Sequence, residues 1–220
     1  MTARLGLLAG ALLLGAACST AVPVSDSAIA EDSPPCFEDR AALLALDQDA
    51  FDQDMNGGWR AVAARSHCVG AAADLLHDYR EQQIAAGVGP GGLSILYWHE
   101  GQLRAGLNGR AEMTRAIALF EQSRKQEDSA GWNLYVDGTI AFLKQDADGL
   151  KSARAELAAL PLPDWFAEAV VNTEKLYGFT PKWPPNLDVL EAFQRCLGKT
   201  YNEAYGSAEC RNAPSESDTE

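Results

Sequence analysis

The sequence predicts an all-α protein built as stacked antiparallel helical hairpins, with a helical cap at its C-terminal end. Three observations carry this. Apolar residues recur at helical spacing along most of the 220 residues. Alanine is abundant and runs of β-branched residues are nearly absent, so the usual material of strands is missing. Two stretches also match each other in pattern thirty-seven residues apart: YWHEGQLRAGLNGRAE from Tyr97 and LYVDGTIAFLKQDADG from Leu134.

Taken in order, the chain begins with a leader. Met1 to Arg4 carries one positive charge, and Leu5 to Ala17 contains only Leu, Gly and Ala. That run is too short for the roughly 20 apolar residues that span a bilayer. A short apolar run behind a basic start, followed by small residues, is the secretory pattern. Residues 1–17 are therefore read as a signal peptide. The run ends Leu14-Gly15-Ala16-Ala17-Cys18, which resembles a bacterial lipobox, with Gly15 where Leu is usual. The resemblance implies that Cys18 is lipidated and becomes the mature N-terminus, anchoring the protein in the cell envelope facing the periplasm. Ordinary cleavage after Ala21 or Ala30 is the alternative and would leave a soluble periplasmic protein. Residues 18–35, rich in Ser, Pro, Ala and acid, read as a flexible tether. Residues 36–210 read as one helical domain, and 211–220 as a disordered polar tail.

Within the domain, Phe37 to Asp49 is expected as a first helix, contributing Leu43, Leu44 and Leu46. Asn56-Gly57-Gly58 breaks the chain. Helices over Trp59–Cys68 and Ala71–Ala85 follow, hinged near Gly70, and the second buries Ala72, Leu75, Leu76 and Tyr79. Gly87 to Gly92 is a loop. The two matched stretches then give two helical hairpins. Trp98 aligns with Tyr135, Glu100 with Asp137, Gly101 with Gly138, Ala116 with Ala153 and Phe120 with Leu157. Asp164 is placed to cap a helix over Trp165–Tyr177, and Asn186 one running to Leu197. A turn over Tyr201–Tyr205 ends the domain, for about nine helices in all.

The period and the helix–turn–helix shape of residues 59–160 resemble tetratricopeptide repeats. The offset is longer than the usual repeat of about 34 residues, and Glu100 stands where an apolar residue is usual. FDQDMNGGWR, YWHEGQLRAG and GWNLYVDGTIAFL also resemble segments of uncharacterised exported bacterial proteins. Those resemblances imply an architecture without an activity.

Five cysteines are present: Cys18, Cys36, Cys68, Cys196 and Cys210. Lipidation of Cys18 would leave four, enough for two disulfides in an oxidising compartment, with three pairings formally open. Cys36–Cys68 and Cys196–Cys210 are favoured because each pair is close in sequence. No Cys-x-x-Cys spacing suggests zinc. The net charge of −13 disfavours nucleic acid, whose affinity comes largely from Lys and Arg on phosphates.

Candidate chemistry is sparse. Asp52, Asp54 and Asn56, with Gly57, match the first half of a calcium loop, but Ala63 stands where the bidentate Glu belongs. The competing reading is a solvated acidic turn. His67, His77 and His99 show no ligand spacing, and Ser94, in Gly-Leu-Ser-Ile-Leu, lacks the second glycine of a nucleophile elbow. Tyr97, Trp98, Trp132 and Tyr135 read either as core or, with Glu100, Arg104 and Asp137, as a partner-binding groove. Glu100 and Asp137 would share one surface if the hairpins stack, as a solvated or ion-paired face. The expected function is a non-enzymatic envelope scaffold or binding module for another protein or peptide, touching the membrane only through its lipid and using no cofactor. The alternatives are an envelope hydrolase, or an accessory subunit of one, with a carboxylate-based site, and a calcium-binding exported protein.

Overall fold

The computed structural model describes residues 34–212. The expected signal peptide, Cys18 and all but the end of the tether lie outside these residues, as do residues 213–220 of the tail. Among the described residues there is no strand, and no helix is long and apolar enough to cross a membrane.

Eleven helices follow one another: α1 (Arg40–Leu44), α2 (Gly58–Ala63), α3 (Val69–Ala85), α4 (Pro90–Leu107), α5 (Arg110–Gln122), α6 (Trp132–Leu143), α7 (Ala147–Ala158), α8 (Phe166–Tyr177), α9 (Leu187–Arg195), α10 (Tyr201–Gly206) and α11 (Ala208–Arg211). Neighbours α3, α4 and α5 pack in sequence, as do α6 and α7, and α9 lies against both α6 and α7. These are stacked helical hairpins.

Helix α4 is the shared wall between two cores. Its Leu93, Leu96 and Tyr97 pack with Phe51, Trp59, Leu75, Leu76 and Tyr79. Its Trp98 and Ala105 pack on the other side with Phe120, Tyr135, Leu157 and Phe193. The stripe Ala72, Leu75, Leu76 and Tyr79 is fully buried, as its spacing dictates. The aligned glycines Gly101 and Gly138 allow close approach, each to a different element. A Cβ on Gly101 would lie 2.8 Å from the Phe120 ring of α5, and one on Gly138 would lie 2.5 Å from Leu190 of α9.

Several boundaries move from their expected places. The first helix covers only Arg40–Leu44, because the Asp47 carboxylate accepts from Ala50 N–H (2.9 Å) and starts a separate wide turn over Asp49–Gln53. The hinge expected at Gly70 falls at Arg65, where the backbone becomes extended and the guanidinium turns to the carbonyls of Pro35 and Cys36. Gly70 lies inside α3. Asp164 does not cap α8, which starts after Trp165 with no side-chain cap. Asn186 stands at the start of α9 but its left-handed backbone (φ 63°) leaves the side chain out of the cap. The last turn is two short helices, capped by Thr200 with Glu203 and by Ser207. Arg211 still belongs to α11.

The C-terminal piece is more than a polar cover. Val189, Leu190, Ala192 and Phe193 of α9 are buried, and Phe193 stacks on Phe142 with centroids 4.4 Å apart. Disulfides join Cys36 to Cys68 and Cys196 to Cys210, one at each end of the described chain. Two such bridges fit an oxidising, exported environment.

Candidate functional site

The most developed polar feature is a hollow of about 470 Å³ between α3, α4 and α5. Its residues follow from helical spacing. Arg80 continues the Ala72–Leu76 row of α3, so it points at α4 rather than at water. Glu100 and Arg104 sit one turn apart on α4. Glu100 is 3% exposed and accepts from Arg80 Nη2 at 3.0 Å and Nε at 3.3 Å. Arg104 Nη2 lies 3.5 Å from Glu100 and donates to Asp74 at 2.7 Å, while its Nη1 reaches Glu112 at 3.4 Å. Arg80 also donates to Glu81, contacts His77 Nδ1 and lies 4.3 Å over the Tyr97 ring.

Arg80, Glu100 and Arg104 are buried, and each is held by at least two charged partners. Burial alone would push Arg104 down; its hydrogen bond to Asp74 and the charges of Asp74, Glu100 and Glu112 outweigh that and hold it above the ordinary arginine value. Around this floor stand Asp74, His77, Arg115 and Gln122, over Ala118 and Leu119. The hollow is therefore preset, with a charged floor and a rim of longer polar side chains.

A second polar cluster lies in the N-terminal core. The Asp52 carboxylate is fully buried. One oxygen accepts from Trp59 Nε1 at 2.8 Å and pairs with His99 Nδ1 at 2.7 Å; the other accepts from Gln53. Arg60 bonds the Asp52 carbonyl and lies over Trp59. Burial pushes the Asp52 carboxyl up, but His99, Trp59 and Arg60 outweigh it and leave it below its ordinary value. The calcium reading fails at this point. Asp52 faces inward with both oxygens occupied, while Asp54 and Asn56 are exposed, with Asp54 Oδ1 accepting from Asn56 N–H at 2.9 Å.

Of the two readings of the aromatics, the buried ones follow the core reading. Trp98 and Tyr135 are core residues, with ring centroids 4.7 Å apart, and Tyr97 is buried under Arg80. Trp132 is half-buried, donating from Nε1 to Ser123 O at 2.8 Å, with Lys125 over its ring. Of the expected groove set, only Glu100 and Arg104 line the hollow. Asp137 does not share a surface with Glu100: its side chain is 48% exposed and pairs with Arg124 at 2.6 Å. Ser94 is buried and donates to Ser123 O, so it is a packing residue. Cys36, Cys68 and His67 bring ligand-type atoms within 4.8 Å of one another, but the two sulfurs are joined to each other.

Sequence reasoning missed Asp74, Arg80 and Arg115. For Arg80 the signal existed, since it extends the buried row of α3. For the Asp52–His99 pair no signal existed, because forty-seven residues separate them.

Compared with known proteins, the chain matches no family model, no curated protein and no solved structure.

Proposed function

We propose that this chain is a non-enzymatic binding module of the bacterial cell envelope, tethered through an acylated Cys18, that holds a segment of another protein in the α3–α4–α5 hollow. The observation that supports it most is the preset charged floor built from Arg80, Glu100 and Arg104. Such a floor needs no rearrangement to meet a ligand, which lowers the ordering cost of binding. The helical-hairpin stack, resembling tetratricopeptide repeats, is an architecture that presents concave surfaces. The apolar run before Cys18 and the two disulfides support export.

The hydrolase alternative finds one favourable observation. His99 Nδ1 is pinned by Asp52, the arrangement that orients an imidazole for proton transfer. His99 does not line the hollow, however, and the carboxylate that does, Glu100, has its oxygens taken by two guanidiniums.

The test is quantitative capture from envelope extract. Ala118 is exposed on the wall of the hollow, so Ala118→Trp fills it without entering the core. Arg115→Glu reverses the charge of an exposed rim residue. Both variants are expected to keep the helical content and to lose the same bound proteins, about tenfold or more. Retention of those proteins by both variants removes the hollow as the binding site.

A further inference from the structure

We infer that His77 is a pH-sensitive switch at the rim of the hollow, exchanging Arg80 for Glu100 as its partner when it takes up a proton. It regulates the site proposed above, and rests on that reading only for what it regulates. Two histidines of this chain make close contacts through the same ring atom, and their partners are chemically opposite. His77 Nδ1 lies 3.0 Å from Arg80 Nη2. His99 Nδ1 lies 2.7 Å from Asp52 Oδ1. A guanidinium offers only donors, and an ionised carboxylate offers only acceptors.

His77 Nδ1 must therefore accept, so in this contact the ring is neutral and its proton sits on Nε2. His99 Nδ1 must donate, and it carries a proton whether its ring is neutral or charged. Taking up a proton leaves the His99 contact in place. The same event breaks the His77 contact, because it sets an N–H against an N–H and a positive ring against a guanidinium.

An acceptor for the charged ring is already in place. Glu100 Oε1 lies 3.9 Å from His77 Nδ1. It is the less firmly held oxygen of that carboxylate: Arg104 Nη2 stands 3.5 Å from it, while Oε2 accepts from Arg80 Nη2 at 3.0 Å. The His77 side chain is 48% exposed, so the ring has room to turn. Arg80 then keeps Glu81 and Glu100 but loses one acceptor, and the rim gains a positive charge. The charged groups that line the hollow with His77 are Asp74 and Arg80 of α3, Glu100 and Arg104 of α4, and Arg115 of α5. Glu81 and Glu112 pair with the arginines from outside it. Carboxylates and guanidiniums ordinarily hold their charge between about pH 5 and 8, the window in which histidine changes.

The experiment uses the chain from residue 18 onward carrying Cys18→Ala, which contains the whole compact unit of the structure. The imidazole nitrogens are read by proton–nitrogen NMR, with His67→Gln and His77→Gln assigning the signals. At about pH 8 His77 is expected to carry its proton on Nε2 and His99 on Nδ1, and at about pH 5 both nitrogens of His77 are protonated. A glutamine at position 77 offers Arg80 an oxygen at every pH. Exchange of the Arg80 guanidinium protons should therefore match in the two chains at about pH 8. At about pH 5 it should be about tenfold faster in wild type than in His77→Gln, the scale of one hydrogen bond to a charged group. A His77 proton on Nδ1 at the higher pH overturns the inference. So does equal Arg80 exchange in both chains at the lower pH. None of these readings needs a ligand. Failure of the switch leaves the capture test with Ala118→Trp and Arg115→Glu untouched, and failure of that test leaves the switch standing.

Discussion

Removing the charge of Glu100 tests the buried lattice directly. In Glu100→Gln the side chain keeps its shape but presents an amide to Arg80 and Arg104, both of them buried. Breaking a buried ion pair by removing one partner typically costs about 3–5 kcal/mol, because the other charge is left uncompensated. Here the loss is softened. Arg80 keeps Glu81 at 2.8 Å, and Arg104 keeps Asp74 at 2.7 Å and Glu112 at 3.4 Å. A cost of roughly 2–3 kcal/mol is therefore expected. For a domain of this size that lowers the midpoint of thermal unfolding by roughly 4–12 °C. The internal control is Asp137→Asn, at the matching position of the second hairpin. Asp137 is exposed and its pairing with Arg124 is a surface one, worth about 0–1 kcal/mol. Both variants are to be unfolded by heat and by urea, followed by circular dichroism. If Glu100→Gln costs no more than Asp137→Asn, the reasoning from burial is refuted.

Two further outcomes follow from the packing. Gly138→Ala places a methyl group 2.5 Å from a fully buried Leu190, and overpacking of this kind costs about 1–3 kcal/mol; an unchanged urea midpoint would show that α9 can move away. The Asp52 carboxyl lies below its ordinary value of 3.8 in the folded chain, so its ionised form adds stability that is complete above that value and is lost as pH falls through the lower, folded one. Acid unfolding of the wild type below about pH 4 should include this contribution, and the pH slope of stability should be shallower in Asp52→Asn; identical slopes would contradict it.

Periodicity made the core legible. The α3 stripe and the matched pairs Trp98/Tyr135, Ala116/Ala153 and Phe120/Leu157 are buried as their spacing required. The repeat misled where the partners of equivalent residues differ. Glu100 meets Arg80 across from α3, while Asp137 meets Arg124 at the surface. Gly101 admits Phe120 of its own hairpin, and Gly138 admits Leu190 of α9. Local pattern fixes which residues share a face, but the identity of the opposing helix decides whether that face becomes core, lattice or surface. The same reason hid Asp52. Its Asp-x-Asp-x-Asn spacing suggested a cation, and a histidine far along the chain on α4 took its place.

The binding proposal is tested most directly by a photo-reactive residue placed in the hollow of the full chain in its own cells. Introduced at Ala118 or Gln122, it should yield cross-linked species of the same defined mass, while at Lys151, exposed on α7, it should yield none of them. Equal adducts at Lys151, or no adducts at positions 118 and 122, would contradict a protein segment held between α3, α4 and α5.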